Sequence, residues 1–177
     1  MAGISEFRRA KDEWLRTDPQ SPLTPEQRDA FEGLSYYDED PELSFVIESE
    51  LVDPPEEVEI LTSTGDVERY ERWARVRFLV DGQQAALMVY RHPETGHLFL
   101  PFRDATSAEE TYEAGRYLEV HQLEGGQLLV DFNYAYNPFC AYNEAYSCPL
   151  PEEENRLTVP IRAGERAFRG AVVQHRH

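Results

Sequence analysis

The chain carries 34 acidic against 17 basic residues in 177, a formal charge of −17 at pH 7. That sign is repelled by phosphate backbones and by anionic bilayers, so neither nucleic acid nor a membrane surface is an expected partner. The longest unbroken apolar run, residues 85–90, falls far short of the about 20 residues a spanning helix needs, and residues 1–16 lack the pattern of an export signal. The expected location is therefore the cytoplasm.

Lys11 is the single lysine beside 16 arginines. A GC-rich genome replaces lysine codons with arginine codons. A halophile keeps an acidic surface hydrated in molar salt, where charges are screened within about 3 Å. The acid excess favours the halophilic account, and codon bias remains the alternative.

In chain order, Ile4, Phe7, Ala10 and Trp14 recur at helical spacing and predict a helix from about Ser5. Pro19 and Pro22 break it. Thr24-Pro25-Glu26-Gln27 reads as a second helix start, with Thr24 as cap, Pro25 in the first turn and Gln27 closing a capping box. Gly33 is the expected stop. From Tyr36 the period becomes two. Leu43, Phe45 and Ile47 share a face, as do Ala74, Val76, Phe78 and Val80. Asp81-Gly82 then turns the chain into residues 85–90, a hairpin signal. Residues 93–96 turn it again into 97–102. Residues 117–123 and 127–132, joined by Gly125-Gly126, form a third expected hairpin, and 157–161 a last strand. Successive hairpins imply an antiparallel meander, and meanders of this length curl into a barrel or fold as a sandwich. The predicted fold is mainly β: a barrel or half-open (split) barrel with two short N-terminal helices. One domain is expected over 1–177: a helical segment at 1–34, a β-rich body at 35–170, and a tail at 171–177 holding His175 and His177.

Residues 133–154 fit neither period. They hold Tyr134, Tyr136, Tyr142, Tyr146 and both cysteines, a composition that predicts an ordered, packed loop and not a linker.

Two segments, LFLPFRDATSAEETYEAGRYL at 98–118 and DFNYAYNPFCAYNEAYSCPLPEEENRLTVPIRAGE at 131–165, resemble the domain of unknown function 1684, a bacterial and archaeal family. Ser21 to Gln27 and Phe31-Glu32-Gly33-Leu34 resemble that family's N-terminal region. Two positions depart from its pattern: Ala108 stands where glycine is usual, and Phe139 where a second proline is usual. The resemblance implies a family and no activity.

The densest polar chemistry lies in residues 103–116, at a strand end. An arginine pair so placed is suited to clamp a carboxylate or phosphate through paired hydrogen bonds. The competing account is an internal lattice in which arginine, carboxylate and hydroxyl satisfy each other. The functional expectation is a small-molecule-binding barrel whose pocket lies between 103–116 and 133–154. Arg103, Thr106, Tyr112, Arg116, Asn133, Asn137 and Tyr142 are its binding candidates, and a small anionic molecule is the expected partner. An enzyme using the same pocket, with Asp104 or Glu110 as general base, is the alternative. Cys140 is a weak candidate nucleophile, because no sequence rule sets His92, His97 or His121 beside it. A structural or partner-binding protein is the third class. Cys140 and Cys148 do not have zinc-site spacing, and His92 and His97 alone make no metal site. Both thiols are expected to be reduced for want of an export signal, although the loop is able to bring them together. The sequence leaves both the cofactor, if any, and the oligomeric state open.

Overall fold

A computed structural model describes residues 3–174; the tail histidines His175 and His177 lie outside them. Two helices lead the chain, α1 (Ile4–Thr17) and α2 (Pro25–Ala30). The capping box of α2 is formed: the Thr24 hydroxyl accepts from the Gln27 amide at 3.2 Å, and the Gln27 side chain accepts from the Thr24 amide at 2.9 Å. The helix stops at Phe31, two residues before Gly33, because Phe31 turns inward to join Leu15, Leu23 and Tyr142 in a small apolar cluster. Each such side chain, once buried, contributes about 1.5–3 kcal/mol. Gly33 has a different use. It adopts φ +109°, and a Cβ there would sit 3.2 Å from the Asp12 carboxylate of α1. That carboxylate accepts from the Leu34 amide at 3.1 Å and so ties α1 to the chain leaving α2.

Among the described residues eight strands follow: β1 (Ser44–Glu48), β2 (Glu50–Leu61), β3 (Val67–Val80), β4 (Gln83–Arg91), β5 (Leu98–Phe102), β6 (Arg116–Glu119), β7 (His121–Gln122) and β8 (Gln127–Asp131). All pairings between these strands are antiparallel. β2 to β6 form one five-stranded meander, and a second sheet has the order β1-β8-β7. The sheets do not close on each other, so the fold is a half-open barrel. Val76, Phe78, Leu87, Leu100 and Phe102 of the large sheet meet Leu128 and Val130 of the small one. Phe132 lies 5.3 Å, ring to ring, from both Phe78 and Phe102 and closes the core between the sheets.

Three elements differ from the sequence reading. β2 was not expected, because Asp53-Pro54-Pro55 and its carboxylates look like a loop. It is an edge strand, where missing amide donors are tolerated, and its ladder shifts register between Leu51 and Glu56 to pass the prolines. Its carboxylates face arginines of β3, with Arg77 on Glu50 and Arg72 on Glu56, each at 2.9 Å. In the third hairpin only His121 and Gln122 pair with β8, while β6 belongs to the large sheet. Residues 157–161 form no regular strand; they run beside the extension of β5 through the bonds Leu157 N to Arg103 O (2.8 Å) and Ala105 N to Val159 O (3.1 Å).

Candidate functional site

The loop at 133–154 docks on the free edge of β6. Tyr117 and Tyr136 exchange backbone hydrogen bonds at 2.8 and 2.9 Å, which places the loop's polar and sulfur-bearing residues against residues 103–116. The two segments expected to frame a site are therefore adjacent, and their side chains sort into three groups.

The first surrounds Arg116, which is 1% exposed. Its guanidinium donates to the carbonyls of Ala163 at 2.5 Å, Glu165 at 3.1 Å and Ile161 at 2.8 Å, stands 3.6 Å from Asp104, and covers the Phe102 ring at 5.1 Å. Burial pulls its pKa down, while Asp104 opposes that shift. Asp104 accepts from the Thr106 hydroxyl at 2.8 and 3.0 Å and from the Ile161 amide at 2.5 Å; Thr106 in turn contacts Thr111 at 3.0 Å. Gly115, at φ +104°, allows this close approach, since a Cβ there would clash with the Phe102 carbonyl. Arg103 does not join the group. Its backbone bonds Asn155 and Leu157, and its half-buried side chain has no hydrogen bond or ion pair among the described residues. Glu110 accepts from the Tyr37 hydroxyl at 2.8 Å, which holds its carboxyl below the ordinary range, and Arg162 at 3.4 Å adds to the effect. A carboxylate so held is a weaker base.

Glu165, 3% exposed, organises the second group and was not singled out from the sequence. Its carboxylate meets Lys11 of α1, accepts from the Asn137 amide at 2.9 Å, and lies 3.4 Å from the Tyr142 hydroxyl. Burial and Glu165 together raise the pKa of Tyr142. The side-chain oxygen of Asn137 is buried with no hydrogen-bond partner among the described residues, and its side-chain nitrogen donates to Arg166 O at 3.0 Å. Asn133 stands apart from both groups, bonding Asp40 and Asp131. A lone carboxylate in a Pro-Ile-Arg-Ala-Gly-Glu tail carries no local signal, so only the fold reveals Glu165.

The third group is sulfur. The Cys140 amide donates to Cys148 Sγ at 3.3 Å, and the Tyr112 hydroxyl donates to Cys140 Sγ at 3.6 Å. A hydrogen bond from Cys148 lowers the Cys140 thiol to about 7, against the opposing effect of burial. The same bond raises Cys148. Among the described residues no histidine joins the pair: His92 faces Tyr70, His97 pairs with Glu119 at 2.5 Å, and His121 lies in the wall of a separate cavity. Among the described residues, no group of three or more His, Cys, Asp or Glu side chains is placed to hold a metal, and no helix is long and apolar enough to cross a membrane.

A cavity of about 420 Å³ lies beside these groups, between α1 and the small sheet. Phe7, Leu129, Tyr134 and Tyr136 supply its apolar wall, and Glu119, His121 and Asp131 its polar one. Phe7 meets Tyr134 edge to face at 4.9 Å, and the Tyr136 hydroxyl donates to Glu119 at 2.7 Å. This site has no local sequence signature, because its walls come from four separate stretches of chain.

This architecture defines a class of small, mainly β proteins: a half-open antiparallel barrel with a helical N-terminal cap and a long ordered loop docked on one sheet edge. The chain belongs to the DUF1684 family, described as proteins of unknown function, whose model matches residues 29–166. It is also similar to an uncharacterized protein of Haloarcula marismortui known from a solution NMR structure, with 40% sequence identity and a TM-score of 0.71 over 92% of this chain and 91% of that one. No curated protein matches the chain.

Proposed function

We propose that this protein binds a small organic cation in the cavity framed by Phe7, Tyr134 and Tyr136. The observation that carries the reading is the make-up of that cavity: aromatic rings on one side, the carboxylates of Glu119 and Asp131 on the other, and no lysine or arginine among the described residues that line it. Aromatic faces and carboxylates both favour a cation, and the volume lies in the range of small-molecule sites. Lys11, 5.0 Å over the Tyr136 ring, is a cation already held by one of these aromatics.

The test is thermal denaturation with phenyltrimethylammonium, with benzoate and with inorganic phosphate. Saturation at about 100 times Kd stabilises by about 2.7 kcal/mol, or about 5–10 °C for a chain of this size. The cation is expected to give such a shift, and Tyr134→Ala and Asp131→Asn to abolish it. Absence of a shift with the cation overturns the reading.

A second reading is an anionic ligand held at residues 103–116. The observation favouring it is the Arg103 side chain, which has no polar partner among the described residues. A shift given by benzoate or phosphate and lost in Arg103→Ala would select it. The enzyme alternative, with Asp104 or Glu110 as base, is less well supported, because both carboxylates are already engaged by hydrogen-bond donors.

A further inference from the structure

The two cysteines lie eight positions apart in sequence, within an otherwise irregular loop, yet residues from several separate parts of the chain hold them together. The short turn Phe139–Ala141 points the Cys140 amide at Cys148 Sγ, 3.3 Å away. Ser63, just beyond β2, fixes Cys148 from both sides: its amide donates to the Cys148 carbonyl at 2.9 Å, and its hydroxyl accepts from the Cys148 amide at 3.1 Å. Tyr112, from residues 103–116, directs its hydroxyl at Cys140 Sγ. Phe99 of β5 and Tyr117 of β6 complete an apolar surround. A pair of cysteines serving only as small apolar filler needs none of this polar positioning.

We propose that Cys140 and Cys148 form a reversible dithiol–disulfide couple whose oxidant is a small hydroperoxide. Cys140 is the attacking thiol, because it alone receives the Tyr112 hydroxyl, which stabilises a thiolate, and the Cys148 thiol stabilises it further. The thiolate attacks one oxygen of the O–O bond. That bond breaks, the other oxygen leaves and takes up a proton as an alcohol or water, and Cys140 becomes a sulfenic acid. Cys148 then attacks Sγ of Cys140. The S–O bond breaks, and the expelled hydroxide takes the Cys148 proton and leaves as water. In sum, two thiols and one hydroperoxide give one disulfide, one alcohol (water, for hydrogen peroxide) and one water. An external dithiol reverses the change by exchange. Exposures of 2% for Cys140 and 7% for Cys148 restrict the oxidant to something the size of hydrogen peroxide.

The experiment treats the reduced full chain with one equivalent of hydrogen peroxide and follows free thiols, the intact mass and trapping by dimedone. Both thiols are expected to disappear together in a monomer that has lost two hydrogens, and dithiothreitol is expected to restore them. Cys148→Ser should accumulate a dimedone adduct on Cys140, and Cys140→Ser should consume peroxide about ten-fold more slowly. Tyr112→Phe, which removes a hydroxyl and no packing, should slow the reaction several-fold while the reduced melting temperature stays near wild type. Survival of both thiols, a trapped sulfenic acid on Cys148, or disulfides formed only between chains would each overturn the proposal.

Discussion

Arg116→Ala separates a structural arginine from a ligand-binding one. In the folded chain the guanidinium is the shared donor for the carbonyls of residues 161, 163 and 165, and the counter-charge of Asp104. Truncation strands those carbonyls in a buried setting and leaves a carboxylate with neutral partners only. Breaking a buried pair costs about 3–5 kcal/mol, and loss of hydrogen bonds from a charged donor adds about 1.5–3 kcal/mol each before relaxation. Residual hydrogen bonds from Thr106 and Ile161 to Asp104 reduce the sum, so a loss of about 4–6 kcal/mol is expected, a large part of a typical domain's 5–15 kcal/mol. At about 2–4 °C per kcal/mol, the melting temperature followed by circular dichroism should fall by about 10–20 °C. Arg103→Ala removes no side-chain bond and should cost under about 1 kcal/mol. The two arginines, alike in sequence, are thus expected to behave differently by a factor of several. If Arg116→Ala proves as stable as the parent, or more stable, the guanidinium is not the cross-link described, and a clamp awaiting an anion becomes the better account.

Ala108 adopts φ +73°, a left-handed conformation that costs an alanine about 1–2 kcal/mol. Ala108→Gly should therefore raise the melting temperature by a few degrees, and a fall would show that the strain is compensated elsewhere. The lowered Glu110 carboxyl implies a contribution to stability that is complete above its unfolded value near 4.5 and disappears as the pH falls below it. The stability difference between wild type and Glu110→Gln should accordingly shrink on acidification through that range; a constant difference from pH 7 to pH 3 would contradict it. If the acidic surface is a halophilic adaptation, the melting temperature should climb steeply toward molar KCl as screening relieves self-repulsion, whereas a flat profile would leave codon bias.

The sequence revealed what depends on local period and turn chemistry. The capping box of Thr24 and Gln27, the face Ala74-Val76-Phe78-Val80 and the Asp81-Gly82 turn are all present in the fold. What escaped was settled by neighbours distant in sequence. β2 has prolines and carboxylates that argue against a strand in isolation, and it becomes one because β3 presents a complementary row of arginines. Residues 157–161 alternate like a strand, yet Asp104 takes the Ile161 amide and Arg116 its carbonyl, so the ladder is replaced by side-chain bonds. Within the candidate site the same distinction holds. The adjacency of 103–116 and 133–154 was legible from their composition, but not the division of labour among Arg103, Arg116 and the unforeseen Glu165.

Lys11 shows how these layers meet, and it yields a last prediction. The one lysine in the chain lies on α1 against a carboxylate that is 3% exposed, with Tyr136 beneath its ammonium. A compact ammonium fits that cleft, whereas a planar guanidinium needs more width and a paired acceptor; Lys11→Arg is therefore not a conservative change here. Lys11→Ala leaves Glu165 with only neutral donors and should cost about 2–3 kcal/mol, less than a fully buried pair because Lys11 is partly solvated. The loss should be local, since α1 rests on the barrel through this pair, the Asp12 bonds to Leu34 and Tyr36, and a few apolar contacts. Hydrogen exchange should accelerate across α1 far more than in β3 and β4. Because Phe7 of α1 forms one wall of the aromatic cavity, the same substitution should weaken the shift given by phenyltrimethylammonium as the helix loosens. Unchanged protection of α1 in both variants would show that the helix is held by apolar packing alone and that the lysine contributes little to its position.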